Sequence, residues 1–141
     1  LSDKDAKWRL AWKTTALTAA LLVVMGVVGV VLARPVVSLL FGNAFLPSVS
    51  AFCWLIPGII FIGIQTVMIQ YLNSLGFPIR VVYAWFFTFL LNVGLNFVLI
   101  PRYGYVGAAA NSTISYFFIF LVNAFLVWKN RPSAVQVGGS R

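Results

Sequence analysis

The chain contains no histidine and no glutamate, and its only acids are Asp3 and Asp5. Work on sugars or phosphates at a membrane surface calls for carboxylates, imidazole or a bound metal. Neither a metal-ligand cluster nor a phosphate-cradling glycine loop occurs in its 141 residues. The sequence therefore points away from an enzyme, and no metal or cofactor is expected. Cysteine is nearly absent too: Cys53 is alone, so no intrachain disulfide can form, and it reads as a small apolar residue facing lipid or a neighbouring helix.

Charge is scarce. Only 9% of residues are charged while 62% are hydrophobic, with a mean hydropathy of +0.99. A soluble domain carries roughly 25% charged residues, so water is not the main solvent of this chain. No Asp, Glu, Lys or Arg occurs between Thr14 and Ala33, Pro35 and Ile79, Val81 and Pro101, or Tyr103 and Trp128. A spanning helix needs ~20 mostly apolar residues to cross ~30 Å of hydrocarbon. Pro47-Ser48 makes a start, and Leu72 through Pro78, rich in Asn, Ser and Gly, makes a stop. The expected fold is all-α and polytopic, with four transmembrane helices at about 14–40, 46–71, 79–100 and 106–128. A cytoplasmic, interfacial basic segment (1–13) precedes them and a cytoplasmic tail (129–141) follows. The first span is too long for a signal peptide. A chain opening on Leu1 rather than Met is expected to start partway through a longer protein.

The net charge of +8 does not imply nucleic acid. With the N-terminus inside, Lys4, Lys7, Arg9, Lys13, Arg80, Lys129, Arg131 and Arg141 fall on the inner side, and only Arg34 and Arg102 on the outer. This asymmetry is the positive-inside pattern, and it places both termini in the cytoplasm. Trp8 and Trp12, four apart, share a helix face among these bases, and Ser2 with Asp5 resembles a capping box. Residues 1–13 read as the cytoplasmic approach to a helix, in preference to a dedicated lipid-headgroup patch.

Polar residues inside the oily runs are few enough to name. Gln65 and a stripe of Thr66, Gln70 and Asn73, spaced i, i+4, i+7, lie toward the cytoplasmic half of the second span. Such a stripe must face protein or water. Interhelical hydrogen bonding is the favoured reading, with the wall of a hydrated cavity as the other. In the third span Asn92 and Asn96 sit one turn apart. In the fourth, Gly104, Gly107, Ala108, Asn111 and Ser115 offer a face with little bulk. Pro101 and Gly104 are expected to supply the stop and the turn of a tight antiparallel hairpin that the amides lock. The glycosylation sequon Asn111-Ser112-Thr113 lies within a membrane helix, beyond a transferase's reach.

The strings LLFGNAF (39–45), NSLGFP (73–78) and LNVGLNFVLIPRYGYVGAAANSTISY (91–116) together resemble the C-terminal part of the polysaccharide flippases. These belong to the multidrug/oligosaccharidyl-lipid/polysaccharide exporter superfamily. Leu91-Asn92, Leu95-Asn96, Leu99-Ile100-Pro101, Gly104 and Gly107-Ala108-Ala109 carry the resemblance, which covers roughly residues 15–128. It implies a parent of about twelve helices in two lobes, this chain supplying the last four. It also implies alternating access that moves undecaprenyl-phosphate-linked repeat units, such as O-antigen or exopolysaccharide, across the bacterial inner membrane. Implied partners are the bilayer, the lipid-linked glycan, the parent's remaining helices and the polysaccharide polymerase machinery. The charged cavity residues of such flippases have no counterpart within these spans, so Asn92, Asn96, Pro101, Gly104, Gly107 and Ala108 transfer as a structural motif only. Lipid II flippases and multidrug extruders of the same superfamily, and a non-transporting scaffold subunit, stay open as alternatives.

Overall fold

The computed structural model of the chain describes residues 3–76 and 78–130. Among these residues the fold is all-helical. It consists of α1 (Asp3–Phe41), a short 3-10 turn (Asn43–Phe45), α2 (Ser48–Ser74) and α3 (Pro78–Lys129). All three α-helices are long and apolar enough to cross a membrane, which makes this a multi-pass, membrane-embedded protein. Their surfaces agree: Leu39 is 86% exposed, Leu17 62% and Phe97 78%. Apolar surface on this scale is untenable in water and ordinary in lipid.

α1 has no break at the expected start of the membrane span. It runs unbroken from Asp3, so the basic segment forms its first turns. Good helix formers (Ala6, Lys7, Leu10, Ala11) favour this, and Trp8 anchors it by packing edge-on against Tyr71 at 5.6 Å while stacking on Trp12 at 6.1 Å. The helix also runs through Pro35, as the sequence allowed. The chain then turns at Gly42, whose φ of 85° suits glycine alone, and Ser38 Oγ donates to Asn43 Oδ1 at 2.7 Å to close the corner. α2 starts two residues later than expected and continues past Tyr71 to Ser74, before a second left-handed glycine, Gly76. Ser2 of the capping pair, Phe77 of the NSLGFP string and the tail from Arg131 to Arg141 lie outside the described residues, as do the side chains of Lys4 and of Asp5, the other half of that pair.

The largest departure is α3. The expectation was two helices with a stop at Pro101 and a turn at Gly104; the turn is there and the stop is not. Helical backbone continues through Pro101 to Tyr103 and is interrupted at Gly104 (φ 58°, ψ −139°). Those angles lie near the first corner of a type II′ turn and are hostile to any residue with a Cβ. Proline removes one backbone donor without forcing a reversal; only Gly104 can reverse the chain. The reversal is nearly complete. Along a straight helix Asn92 and Asn111 would lie ~28 Å apart, yet Asn111 Nδ2 donates to the carbonyl of Asn92 at 2.7 Å. α3 is thus a hairpin of two arms, 78–103 and 105–129, each about 25 residues and ~37 Å long.

The contacts give the directions of all four rods. α1 runs antiparallel to α2, with Trp8 by Tyr71, Leu22 by Gly63 and Gly26 by Ile56. α2 runs parallel to the second arm of α3, with Pro47 by Tyr105, Phe61 by Phe117 and Tyr71 by Asn130. The two arms are antiparallel. In space the order is α1, α2, second arm, first arm, so the last rod in sequence sits between its predecessors. One end of the array bears Lys7, Arg9, Lys13, Arg80 and Lys129, and the other bears Arg34 and Arg102. At the basic end Tyr71, Leu72, Val81 and Val127 form the best-buried apolar cluster, with Trp8, Met68 and Trp85 packed around it.

Candidate functional site: a seam of buried amides

The second arm carries an i+4 series: Gly107, Asn111, Ser115, Ile119, Asn123 and Val127, all buried. An i+4 row drifts about 40° round a helix at each step. The upper part of the row therefore faces the first arm and the lower part faces α2. Both contacts are polar.

Toward the first arm, Asn92 Nδ2 donates to Ser115 Oγ at 3.0 Å, and Asn111 Nδ2 donates to the Asn92 carbonyl. Asn96 Nδ2 donates to Asn92 Oδ1 at 3.1 Å, and Ser115 Oγ reaches Asn111 Oδ1 at 3.5 Å. The expected pairing of Asn92 and Asn96 with the small face is thus a connected network. Gly107 makes it possible: a Cβ there would meet the Leu99 carbonyl carbon at 2.9 Å and collide with its oxygen. Ala108 lies beside this face, half-buried, its carbonyl accepting from Ser112 Oγ at 3.0 Å. Pro101 and Gly104 are exposed at the tip.

Toward α2, Asn123 Nδ2 donates to Gln65 Oε1 at 3.0 Å, both side chains fully buried. Thr113 Oγ1 donates to the Trp54 carbonyl beside Gly58, where a Cβ would meet Thr113 Cα at 3.0 Å. Phe61 packs on Phe117 and Phe120 with centroids 5.0 and 5.3 Å away.

Gln65 therefore acts as an interhelical tie, whereas its neighbours in the stripe behave otherwise. Thr66, Gln70 and Asn73 are exposed, and Thr66 and Gln70 border a groove between α2 and α1. Asn123 and Thr88, a buried hydroxyl donating to the Ala84 carbonyl at 2.8 Å, were not singled out from sequence. An isolated amide in the run 116–128 was a sufficient signal for Asn123, because such a group in hydrocarbon needs a partner.

Amides and hydroxyls donate and accept hydrogen bonds but do not ionise at ordinary pH, so the seam can tie helices and solvate a polar group but holds no fixed charge. Gln65 Nε2, Asn96 Oδ1 and Asn123 Oδ1 are buried with no partner among the described residues. No group of His, Cys, Asp or Glu among the described residues could hold a metal. Comparison with known protein families, characterised proteins and solved structures finds no match for the chain.

Proposed function

We propose that the chain crosses the bacterial cytoplasmic membrane four times, with both ends inside. In this reading it forms part of the C-terminal lobe of a flippase for undecaprenyl-phosphate-linked oligosaccharides. Its role is transport, not catalysis, and the parent's remaining helices complete the path. The observation that carries the reading is the hairpin. The residues bearing the family resemblance, Asn92, Asn96, Gly104 and Gly107, are the ones that join and reverse its arms. Each arm is long enough to span, and the segregation of five described bases at one end from two at the other supports the orientation. The exposed apolar face of the first arm, with Tyr83, Phe86, Phe89 and Phe97, suits the parent's other helices as well as lipid.

Deleting the gene should leave lipid-linked repeat units on the inner leaflet and abolish surface glycan. Unchanged surface glycan would reject the flippase reading, and loss of peptidoglycan precursor export would favour a lipid II flippase. Hypersensitivity to toxic cations alone would favour a multidrug extruder. Assembly defects in a complex without any transport defect would favour a scaffold subunit. For topology, a cysteine beside Arg102 in a Cys53→Ala background should label from outside intact cells, and one beside Arg80 should not. The reverse labelling would invert the orientation.

A further inference from the structure

A groove of about 340 Å³ opens between the first turns of α1 and the last turns of α2, at the basic end of the array. This lies within the ~300–1,000 Å³ span of small-molecule sites. Its body is carbon: Leu10, Ala11 and Val67 line it, and Thr66 and Ser74 turn their hydroxyls back onto the carbonyls of Ile62 and Tyr71 at 2.8 and 2.7 Å. Lys7 stands in the lining nearest the helix start, with Gln70 the exposed amide of the body. Tyr71 lines it as well, and Trp8, stacked on Trp12, packs against that ring, a grouping suited to the headgroup level. From Lys7 to Thr14 the lining descends ~10 Å, enough to pass from headgroup to acyl region.

The same helix pair has a second groove toward its other end, about 260 Å³, lined by Gly29, Leu32, Ala33, Val36, Val37 and Phe52. It has no polar or charged lining residue. An alkyl chain could occupy either groove; a ligand with an anionic head is favoured in only one. Residues 1–13 carry four bases against two acids, and basic recesses between membrane helices recruit anionic headgroups.

We propose that the α1/α2 groove at the basic end binds one anionic glycerophospholipid, its phosphate beside Lys7 and one acyl chain along Leu10 and Val67. The site stands apart from the transport reading, because it needs only that the array lie in a bilayer.

The test uses the full chain in mild detergent, offered equimolar phosphatidylglycerol and phosphatidylcholine, with bound lipid counted by native mass spectrometry. One phosphatidylglycerol should be retained in preference. Lys7→Gln should weaken its retention about five-fold, the effect of one cation at an anionic surface. Lys7→Arg should keep it, Val67→Trp should exclude it by filling the groove, and Arg102→Gln should leave it unchanged. Circular dichroism checks the fold of each variant, and if Val67→Trp misfolds the Lys7 pair carries the test. Equal retention of phosphatidylcholine, or equal losses in Lys7→Gln and Arg102→Gln, would overturn the proposal. So would displacement of phosphatidylglycerol by undecaprenyl phosphate at lower concentration, which would give the groove to a carrier lipid.

Discussion

α1 and the second arm of α3 are both oily helices of membrane length, yet they live in different surroundings. Between residues 19 and 33 α1 has no polar side chain, and Leu21, Val24, Met25 and Val31 are all more than half exposed. The second arm carries Asn111, Ser112, Thr113, Ser115 and Asn123, and is covered on two sides. In water the more polar helix would be the outer one. In hydrocarbon the order inverts, because lipid tails compete equally for apolar side chains and offer nothing to an amide. Polarity here marks the packed helix, and uniform oiliness marks the peripheral one. Glycine follows the same logic on both: Gly26 of α1 admits Ile56, and Gly107 of the second arm admits a backbone carbonyl.

The comparison breaks most visibly at Gly107. Gly107→Leu forces the arms apart against rigid backbone and should cost about 3 kcal/mol or more, read as loss of folded protein in a denaturing-detergent titration. Gly94→Ala, on the same hairpin with nothing within 4 Å of the added carbon, should be nearly neutral. Equal effects would mean the arms do not meet as described.

Replacing Asn92 and Asn96 together by Leu removes the first-arm side of the network and should cost ~1–2 kcal/mol at about 0.6 kcal/mol per contact, lowering membrane abundance. Normal abundance with altered substrate choice would give the pair a cavity role. The Gln65–Asn123 pair should behave less simply. Each single Leu variant strands a buried amide and should cost ~1 kcal/mol, whereas the double variant removes both unpartnered atoms and should recover much of that loss. A double variant as poor as the sum of the singles would show the two sites to be independent. The smallest effect belongs to α1: Leu21→Ala, 57% exposed, should change stability by less than ~0.5 kcal/mol. A large loss there in the cell but not in detergent would reveal a protein partner on that face.

Much of this was legible in the residues. Charge-free runs of membrane length, the basic bias of one end and the Asn92/Asn96 pairing with a small-residue face all follow from solvent physics, which acts locally on composition. Three features were legible only in part. The capping pattern and the shared Trp8/Trp12 face pointed to a helix in residues 1–13, but not to its unbroken run into the first span or to Trp8 packing on Tyr71, a contact across 63 residues. Gly104 was expected at the turn, but that Pro101 does not stop the helix, which runs on to Tyr103, depends on where the arms come into register. The division of the α2 polar residues, with Gln65 inward and Thr66, Gln70 and Asn73 outward, depends on where the second arm lies.

By itself the sequence determined the solvent, the all-helical class and the segments that must be helical, because an unpaired backbone group in hydrocarbon is prohibitive for any chain. Tertiary structure alone decided the neighbours: the second arm between α2 and the first arm, α1 at the edge, and Asn123 against Gln65. Between lipid and a neighbouring helix an apolar side chain has almost no preference. The choice therefore falls to a few amides, hydroxyls and missing Cβ atoms whose partners are far away in the chain.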